Sequence, residues 1–456
     1  MSRIRVIGGG LAGPEAALQA AHRGHTVDLF EMRPHRSTEA HQTSDFAELV
    51  CSNSLKSESE NSAPWLLKQE MRRAGSFLLT DADATAVPAG HALAVDRVAF
   101  SARVAERLSQ HPNITIHREE VLDLDPRHAD LTILATGPLT SAPLTAALQQ
   151  ITGAEHLAFY DSISPIVDAT TIDMEKVYFA ARWDKGTADY INCPFEKDEY
   201  NAFIDALIVA ESVEVKSWEK IPEPDELNTS EPIKEKLQYF EGCLPIEETA
   251  RRGRDTLRFG PMKPAGLTNP KTGRWPYACV QLRCENLRAD SYNLVGFQNH
   301  LKFGEQARIL RMIPGLERAT FLRYGQIHRN TYIHAPSLLT ETLQLKARPD
   351  LFIAGQLSGV EGYTESIASG MLAGIFAADL LAGKTPQVAP RLTAHGSLMH
   401  YITHAESKKF QPANITFDLL PPLEEQLRKQ IRDKKERHRI QCERALTAWG
   451  EWLPQA

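Results

Sequence analysis

Arg3-Ile4-Arg5-Val6-Ile7-Gly8-Gly9-Gly10-Leu11-Ala12-Gly13 is the stretch whose reading decides the fold. Ile4, Val6 and Ile7 make a short buried strand that runs straight into a G-x-G-x-x-G formed by Gly8, Gly10 and Gly13. Residues 15–23, with alanines at 16, 17, 20 and 21, read as an apolar helix. The chain then turns at Gly24 and enters a second strand over 26–30 that ends on Glu31. Strand, glycine fingerprint, helix, strand, acid is the order a dinucleotide-binding βαβ unit requires. Gly8 is expected to permit the tight turn, Gly10 to let backbone approach a pyrophosphate, and Gly13 to let helix and strand pack closely. Gly9, Leu11 and Ala12 complete the loop, which places free N–H groups at the helix N-terminus, where the dipole favours negative charge. Glu31 stands 18 residues after Gly13, where an acid accepts ribose hydroxyls, and Arg33 belongs to the same expected cofactor-binding set.

At 456 residues the chain exceeds one ordinary core, so two domains are expected. The hydrophobic share of 42% and charged share of 24% exclude a disordered chain. No run reaches the roughly 18 uninterrupted apolar residues of a membrane span. The N-terminus opens directly into a strand, without a signal-peptide pattern, so a cytoplasmic protein with no membrane partner is expected, as a monomer. Six cysteines (Cys51, Cys193, Cys243, Cys279, Cys284, Cys442) contain no C-x-x-C pair. That spacing argues against a disulfide framework and against a zinc site, and no metal is expected. The net charge is −7, but residues 193–241 hold 13 acids and 5 lysines, a net of −8. The rest of the chain is therefore about +1 (−7 minus −8), which leaves room for basic faces.

Residues 37–62 are rich in Ser, Asn and His and read as a loop with a short helix. Within it Cys51 is set among Ser52, Asn53, Ser54 and Lys56, a polar setting that favours a thiolate; the plain alternative is a small packed thiol. A helix is expected over 64–79, another over 100–109, and strands over 114–117 and 131–134. The last ends in Ala135-Thr136-Gly137, as in two-dinucleotide-binding flavoproteins, where this tripeptide closes the first half of the FAD domain and lets the chain pass close to the cofactor. From 154 to 333 strand-like and aromatic segments alternate, which reads as an inserted α/β domain with a mainly antiparallel sheet. Its Pro/Glu-rich residues 213–235 read as a surface loop.

After that loop, Gly242-Cys243-Leu244-Pro245 suggests a shaped turn. Arg251, Arg252, Arg254, Arg258 and Lys263 follow closely; a thiol beside cations is placed to ionise, and the same cations suit phosphates. A solvated helix face is the alternative for the arginines. Residues 350–356 return as an apolar strand ending in Gly355-Gln356. Then Glu361-Gly362-Tyr363 precedes a small-residue helix over 367–381, whose N-terminus is expected to point at a flavin. Tyr363 is expected to stack on the isoalloxazine or on an aromatic substrate, with ordinary packing as the alternative. Residues 424–444 carry 8 basic and 5 acidic residues, suited either to RNA contact or to a solvated helix. The expected architecture is α/β: a Rossmann-like FAD-binding domain of the two-dinucleotide-binding flavoprotein type, with an inserted α/β domain. Its parts are residues 1–153, the insert 154–333, and 334–456 with a C-terminal helical tail.

Several motifs together resemble the folate- and FAD-dependent tRNA uracil-C5 methyltransferases, the TrmFO family. They are Leu49-Val50-Cys51-Ser52-Asn53-Ser54-Leu55, Phe240-Glu241-Gly242-Cys243-Leu244-Pro245-Ile246-Glu247 and Leu257-Arg258-Phe259-Gly260-Pro261-Met262-Lys263-Pro264, joined by Gly296-Phe297-Gln298-Asn299-His300, His328-Arg329-Asn330-Thr331 and Gly359-Val360-Glu361-Gly362-Tyr363. The resemblance runs from Ile4 to about Pro422; Ala413 and Asp418 depart from it. The MnmG (GidA)-like flavoproteins, which modify wobble uridines, share the FAD architecture, but the Cys51 and Cys243 motifs favour TrmFO. The resemblance implies transfer of the one-carbon unit of 5,10-methylenetetrahydrofolate to C5 of uridine 54 in the tRNA T-arm, with FAD reduced by NADH or NADPH. It makes Cys51 and Cys243 the catalytic residues. Cys243 is expected to attack uracil C6, with Arg251, Arg252 and Arg254 steadying phosphates, and Cys51 to stand near the flavin; the exchanged roles stay open. A small-molecule FAD oxidoreductase and an RNA-binding scaffold that retains the nucleotide fold are the readings from other classes.

Overall fold

The computed structural model describes residues 3–38, 40–153, 157–213, 244–407 and 410–453. Two hydrophobic cores organise it. The first is built around a six-stranded sheet in the order Gln344–Leu345, Arg348–Ile353, Leu131–Leu134, Arg3–Ile7, Thr26–Phe30, Ile114–His117. Every neighbouring pair is parallel except the edge pair Gln344–Leu345 with Arg348–Ile353. Parallel strands buried on both faces need helices above and below, which explains why Ile4, Val6, Val27, Leu29, Ile133 and Ile353 are all buried.

Two helices lie against each other on this sheet, Ala12–His22 and Tyr363–Leu381. Small residues set their spacing: a Cβ on Gly370 would collide with the Ala12 carbonyl oxygen, and one on Gly374 would lie 2.5 Å from that of Ala16. By length and composition Tyr363–Leu381 would also pass for a membrane span, but 78% of that apolar window is buried inside the protein. Both helices begin earlier than their residue patterns suggest, at Ala12 rather than 15 and at Tyr363 rather than 367. Their first turns, Ala12-Gly13-Pro14-Glu15 and Tyr363-Thr364-Glu365-Ser366, lack a run of strong helix formers, and helix formation there depends on tertiary contacts that local propensity does not register.

Two further expectations are corrected. Residues 64–79 are not one helix: Ala63–Arg73 and Phe77–Ala84 are separate, each capped by the serine before it, Ser62 and Ser76. Gly75, at φ +73°, makes the break. The Glu15 carboxylate then accepts the N–H groups of Phe77 (3.2 Å) and Leu78 (2.8 Å) and anchors the second helix to Ala12–His22. In 37–62 the described residues form no helix; Ser54–Ser57 is instead a strand, paired with Ala92–Val95. Four residues are too few to show a period, and their partner lies far along the chain.

The second core belongs to an antiparallel sheet, in the order Tyr178–Ala180, Tyr190–Phe195, Ala278–Cys284, Ser291–Leu294, Ile166–Asp168, Phe321–Arg323. The chain leaves and re-enters the first core through one antiparallel pair, Leu157–Ser162 with Ile327–Tyr332. The 213–235 loop falls almost wholly outside the described residues. At the C-terminus Glu425–Gln430 and Lys434–Trp452 are helical, and Trp449 is buried in the first core.

Candidate active site

The strand order reverses beside Arg3–Ile7, and at the C-terminal ends of the strands there a cleft opens, enclosing about 1070 Å³ counted to its mouth. Gly8, Gly9, Gly10, Leu11 and Ala12 line one side; Glu31 and Arg33, Thr136 and Gly137, and Gly355 and Gln356 line the others. The three fingerprint glycines act differently. Gly8, at φ +114°, carries the turn past Ala135, and Gly13 presses on the Gly8 carbonyl, so neither site accepts a Cβ. A Cβ on Gly10 would meet nothing within 4 Å, so there the backbone faces open space. No side chain caps the helix Ala12–His22, whose first amides stand at that opening. A phosphate-bearing dinucleotide fits this cradle. Gly13, Glu361 and Gly362 lie outside the lining. Glu361 accepts a 2.7 Å hydrogen bond from Gln356 Nε2, and Gly362 is crowded by Lys56 and Glu365.

Glu31 accepts the Gly9 N–H on Oε2 (2.8 Å), and on Oε1 the Arg33 N–H (2.9 Å) and Nε (2.8 Å). Burial opposes its charge, but the Arg33 bonds and charge and the Gly9 amide outweigh burial and hold the carboxyl below the usual glutamate range. Arg33 also reaches Glu48 at 3.0 Å, so the acid and the turn after it are locked together.

Cys51 stands at the rim. Its backbone N–H donates to the Tyr363 hydroxyl at 2.7 Å, and that of Ser52 donates to the same oxygen at 3.2 Å. Tyr363 and Val50 both line the cleft. Arg97 donates to the Leu49 carbonyl, and Arg323 to the carbonyls of Val50 (2.8 Å) and Ala40 (3.2 Å). The charges of both guanidinium groups act on Cys51 and on Tyr363. Burial works against the Arg97 charge, but Glu285, 2.6 Å away, overrides it; at Arg323, burial and the nearby Arg97 outweigh the Glu48 charge and lower its pKa. Burial pushes the Tyr363 phenol up.

The expected polar setting of Cys51 is therefore made by different residues. Asn53 is buried and bonds the Val95 and Cys284 carbonyls, while Lys56 pairs with Glu365 at 2.8 Å. Of the described cysteines, Cys51 is the one that is not buried. Burial raises the thiols of Cys193 and Cys284 and pushes those of Cys279 and Cys442 up to about 12, which leaves all four as packing groups. Cys243 lies outside the described residues.

Arg251, Arg252 and Arg254 are exposed on the inserted domain; Arg251 pairs with Glu248, and Arg254 with Asp205 at 2.5 Å. Arg258 is committed to structure, donating to the Tyr277 carbonyl (2.7 Å) with its guanidinium over the same ring.

A family model described as glucose inhibited division protein A matches residues 3–385. The protein named methylenetetrahydrofolate–tRNA-(uracil-5-)-methyltransferase TrmFO of Koribacter versatilis is 64% identical over 451 residues, 99% of this chain and 98% of that protein. One of the same name from Enterococcus faecalis is 53% identical, with 97% of each chain covered. The chain belongs to the TrmFO family. It shares its fold with GidA of Aquifex aeolicus, at a TM-score of 0.65 over 88% of this chain and 67% of that one, with 18% identity. Within this TrmFO-family site the residues missed in the sequence are Arg97, Arg323, Glu285 and Glu48. None sits in a motif with a chemical signature; Arg97 follows a helix-capping Asp96, and Arg323 is on an edge strand of the inserted sheet. Ala413, a departure from the family pattern, contributes its backbone to Gly359 and Glu361, a role any side chain permits.

Proposed function

We propose that the chain transfers the one-carbon unit of methylenetetrahydrofolate to C5 of a tRNA uridine, the uridine at position 54 of the T-loop, with FAD in the Gly8–Gly10 cleft and NADH or NADPH as electron source. The observation that carries the reading is likeness over 99% of the chain to a relative whose name states this reaction class. The cleft supports the cofactor: a glycine loop, uncapped helix amides and a charged Glu31 form a dinucleotide cradle. Gly8, Gly9, Gly10, Leu11, Ala12, Glu31, Arg33, Thr136, Gly137, Gly355, Gln356 and Tyr363 are the lining residues we assign to FAD, with Gly13, Glu361 and Gly362 supporting them from behind. Bound there and reduced by NADH or NADPH, FAD would supply the two electrons that take the transferred carbon to the methyl level.

The protein's own part is to activate uracil. C5 is a poor nucleophile until a thiolate adds at C6 and builds electron density on C5. We assign that addition to Cys243. As C5 bonds to the incoming carbon, that carbon's bonds to its folate nitrogens break; the C5 proton then leaves, and the sulfur–C6 bond breaks to restore the C5–C6 double bond. Cys51, held by Tyr363 and flanked by two guanidinium groups, is the residue we assign to acid–base work at the rim. Arg251, Arg252 and Arg254 are assigned to tRNA phosphates. The base must be unstacked to be reached, so recognition rests on tRNA shape. The partition 1–153, 154–333 and 334–456 and a cytoplasmic location belong to the same reading.

The test is methyl transfer from carbon-labelled methylenetetrahydrofolate to an unmodified tRNA transcript with NADPH. A U54C transcript and the Cys243→Ala and Cys51→Ala variants run beside it. Label in the wild-type reaction alone is expected. Absence of label, from FAD-loaded protein that still oxidises NADPH, sinks the reading and leaves a small-molecule oxidoreductase.

A further inference from the structure

His400 and His404 stand one helical turn apart on Ala394–His404, and an i,i+4 spacing puts both rings on one face. The rings stack, with centroids 4.3 Å apart and planes 14° apart. Facing them is Glu341, in the turn between the short helix Ala335–Leu338 and the edge strand Gln344–Leu345. His400 Nδ1 lies 3.0 Å from Glu341 Oε1, and His404 Nδ1 lies 3.7 Å from the same oxygen. One ligand atom from each of the three residues falls within 4.8 Å of the others.

The donor separations are close to those a small divalent ion imposes, and binding would turn the two rings out of their stack so that both Nδ1 lone pairs point at one ion. With zinc–nitrogen and zinc–oxygen bonds of about 2.0–2.2 Å, the edge of a tetrahedral site is about 3.3 Å, between the two measured values. The donors are two imidazole nitrogens and one carboxylate oxygen with no thiolate, a set that suits zinc, nickel or copper. The three side chains are 30–52% exposed, which leaves space for water to complete the shell. The Thr403 hydroxyl, 2.9 Å from His404 Nδ1, donates to the Met399 carbonyl at 2.7 Å, and Arg391 is the nearby cation whose charge acts on Glu341. Cysteine spacing argued against zinc, but this cluster uses no cysteine.

We propose that Glu341, His400 and His404 form a binding site for a zinc-class divalent ion, with water in the remaining position. Such an ion would tie the end of Ala394–His404 to the turn that leads into the edge of the parallel sheet; none of the three residues lines the cleft. Metal affinity of this kind is independent of tRNA methylation.

The experiment is calorimetric titration of zinc ion into the full chain, purified without a polyhistidine tag and stripped with a chelator. His400→Ala, His404→Ala and Glu341→Gln are run beside a distant surface control, His128→Ala. We expect a single saturable site in the wild type and the control. Each histidine variant should weaken it at least about tenfold, and the glutamine variant should also bind more weakly. Zinc should raise the Tm of the wild type and not of His400→Ala, while metal-free Tm values stay close because the side chains are partly exposed. Absence of saturable zinc binding in the wild type, or wild-type affinity in His400→Ala, overturns the proposal and leaves a hydrogen-bonded histidine–carboxylate cluster.

Discussion

The Tyr363 hydroxyl accepts the backbone N–H of Cys51 at 2.7 Å although the two residues are 312 apart in the chain. The same oxygen takes the Ser52 N–H, so one phenol orders the turn that carries the half-buried thiol. Tyr363 is also the first residue of the helix packed on Ala12–His22. The position of Cys51 is thus set by the helix pair that builds the dinucleotide cradle.

Tyr363→Phe removes that acceptor and leaves two N–H groups without it. The two donors are part-buried, and losing their common acceptor loosens the turn that positions Cys51, so methyl transfer should fall about tenfold while the fold persists. Steady-state kinetics with bound FAD measured in parallel checks this; an unchanged rate would show that the phenol does not organise the turn.

Arg323→Met removes one of the two cations acting on Cys51 and the bonds to the Val50 and Ala40 carbonyls. Iodoacetamide should label Cys51 more slowly, on the order of fivefold, because a cation whose charge acts on the sulfur is gone. Peptide mass spectrometry across a labelling time course reads the rate. Equal rates in variant and wild type would remove the arginine from this role.

The same labelling in the native protein should spare Cys193, Cys279, Cys284 and Cys442, which burial keeps as thiols, and modify Cys51. Modification of any of the four at the Cys51 rate would contradict their burial.

Glu31 has a folded-state pKa below its ordinary value. Between that value and about 4.3 the unfolded chain binds more protons, so the Glu31 contribution to stability is complete above the window and is lost as pH falls through it. Glu31→Gln should therefore be less stable than wild type at neutral pH, with the difference shrinking in acid. Urea denaturation at neutral pH and near pH 4 measures it; a constant difference would argue against the Arg33 and Gly9 bonds as its source.

Gly370→Leu drives a side chain into the Ala12 backbone. Overpacking of this kind costs about 1–3 kcal/mol or more, and it should both lower the denaturation midpoint and weaken FAD binding, since Ala12 lines the cleft. A variant with wild-type midpoint and FAD affinity would mean the helices can separate at no cost.

The sequence by itself determined the nucleotide fold, because its signals are local. A strand, a turn that only glycine can make and a small-residue helix each depend on neighbours a few residues away, and Gly8 and Gly13 perform the packing roles their spacing predicts. The returning strand, expected over 350–356 and observed over Arg348–Ile353, was legible for the same reason. What only the tertiary structure decided is how Cys51 is surrounded. Asn53 and Lys56, its neighbours in sequence, are committed to Cys284, Val95 and Glu365, while Arg97, Arg323 and Tyr363 arrive from distant elements. The break at Gly75, the strand Ser54–Ser57 and the Glu341–His400–His404 cluster were hidden likewise. Hydrogen bonds and charges act over a few ångströms of space whatever the separation along the chain, so a residue's chemistry is set by partners that sequence spacing does not reveal.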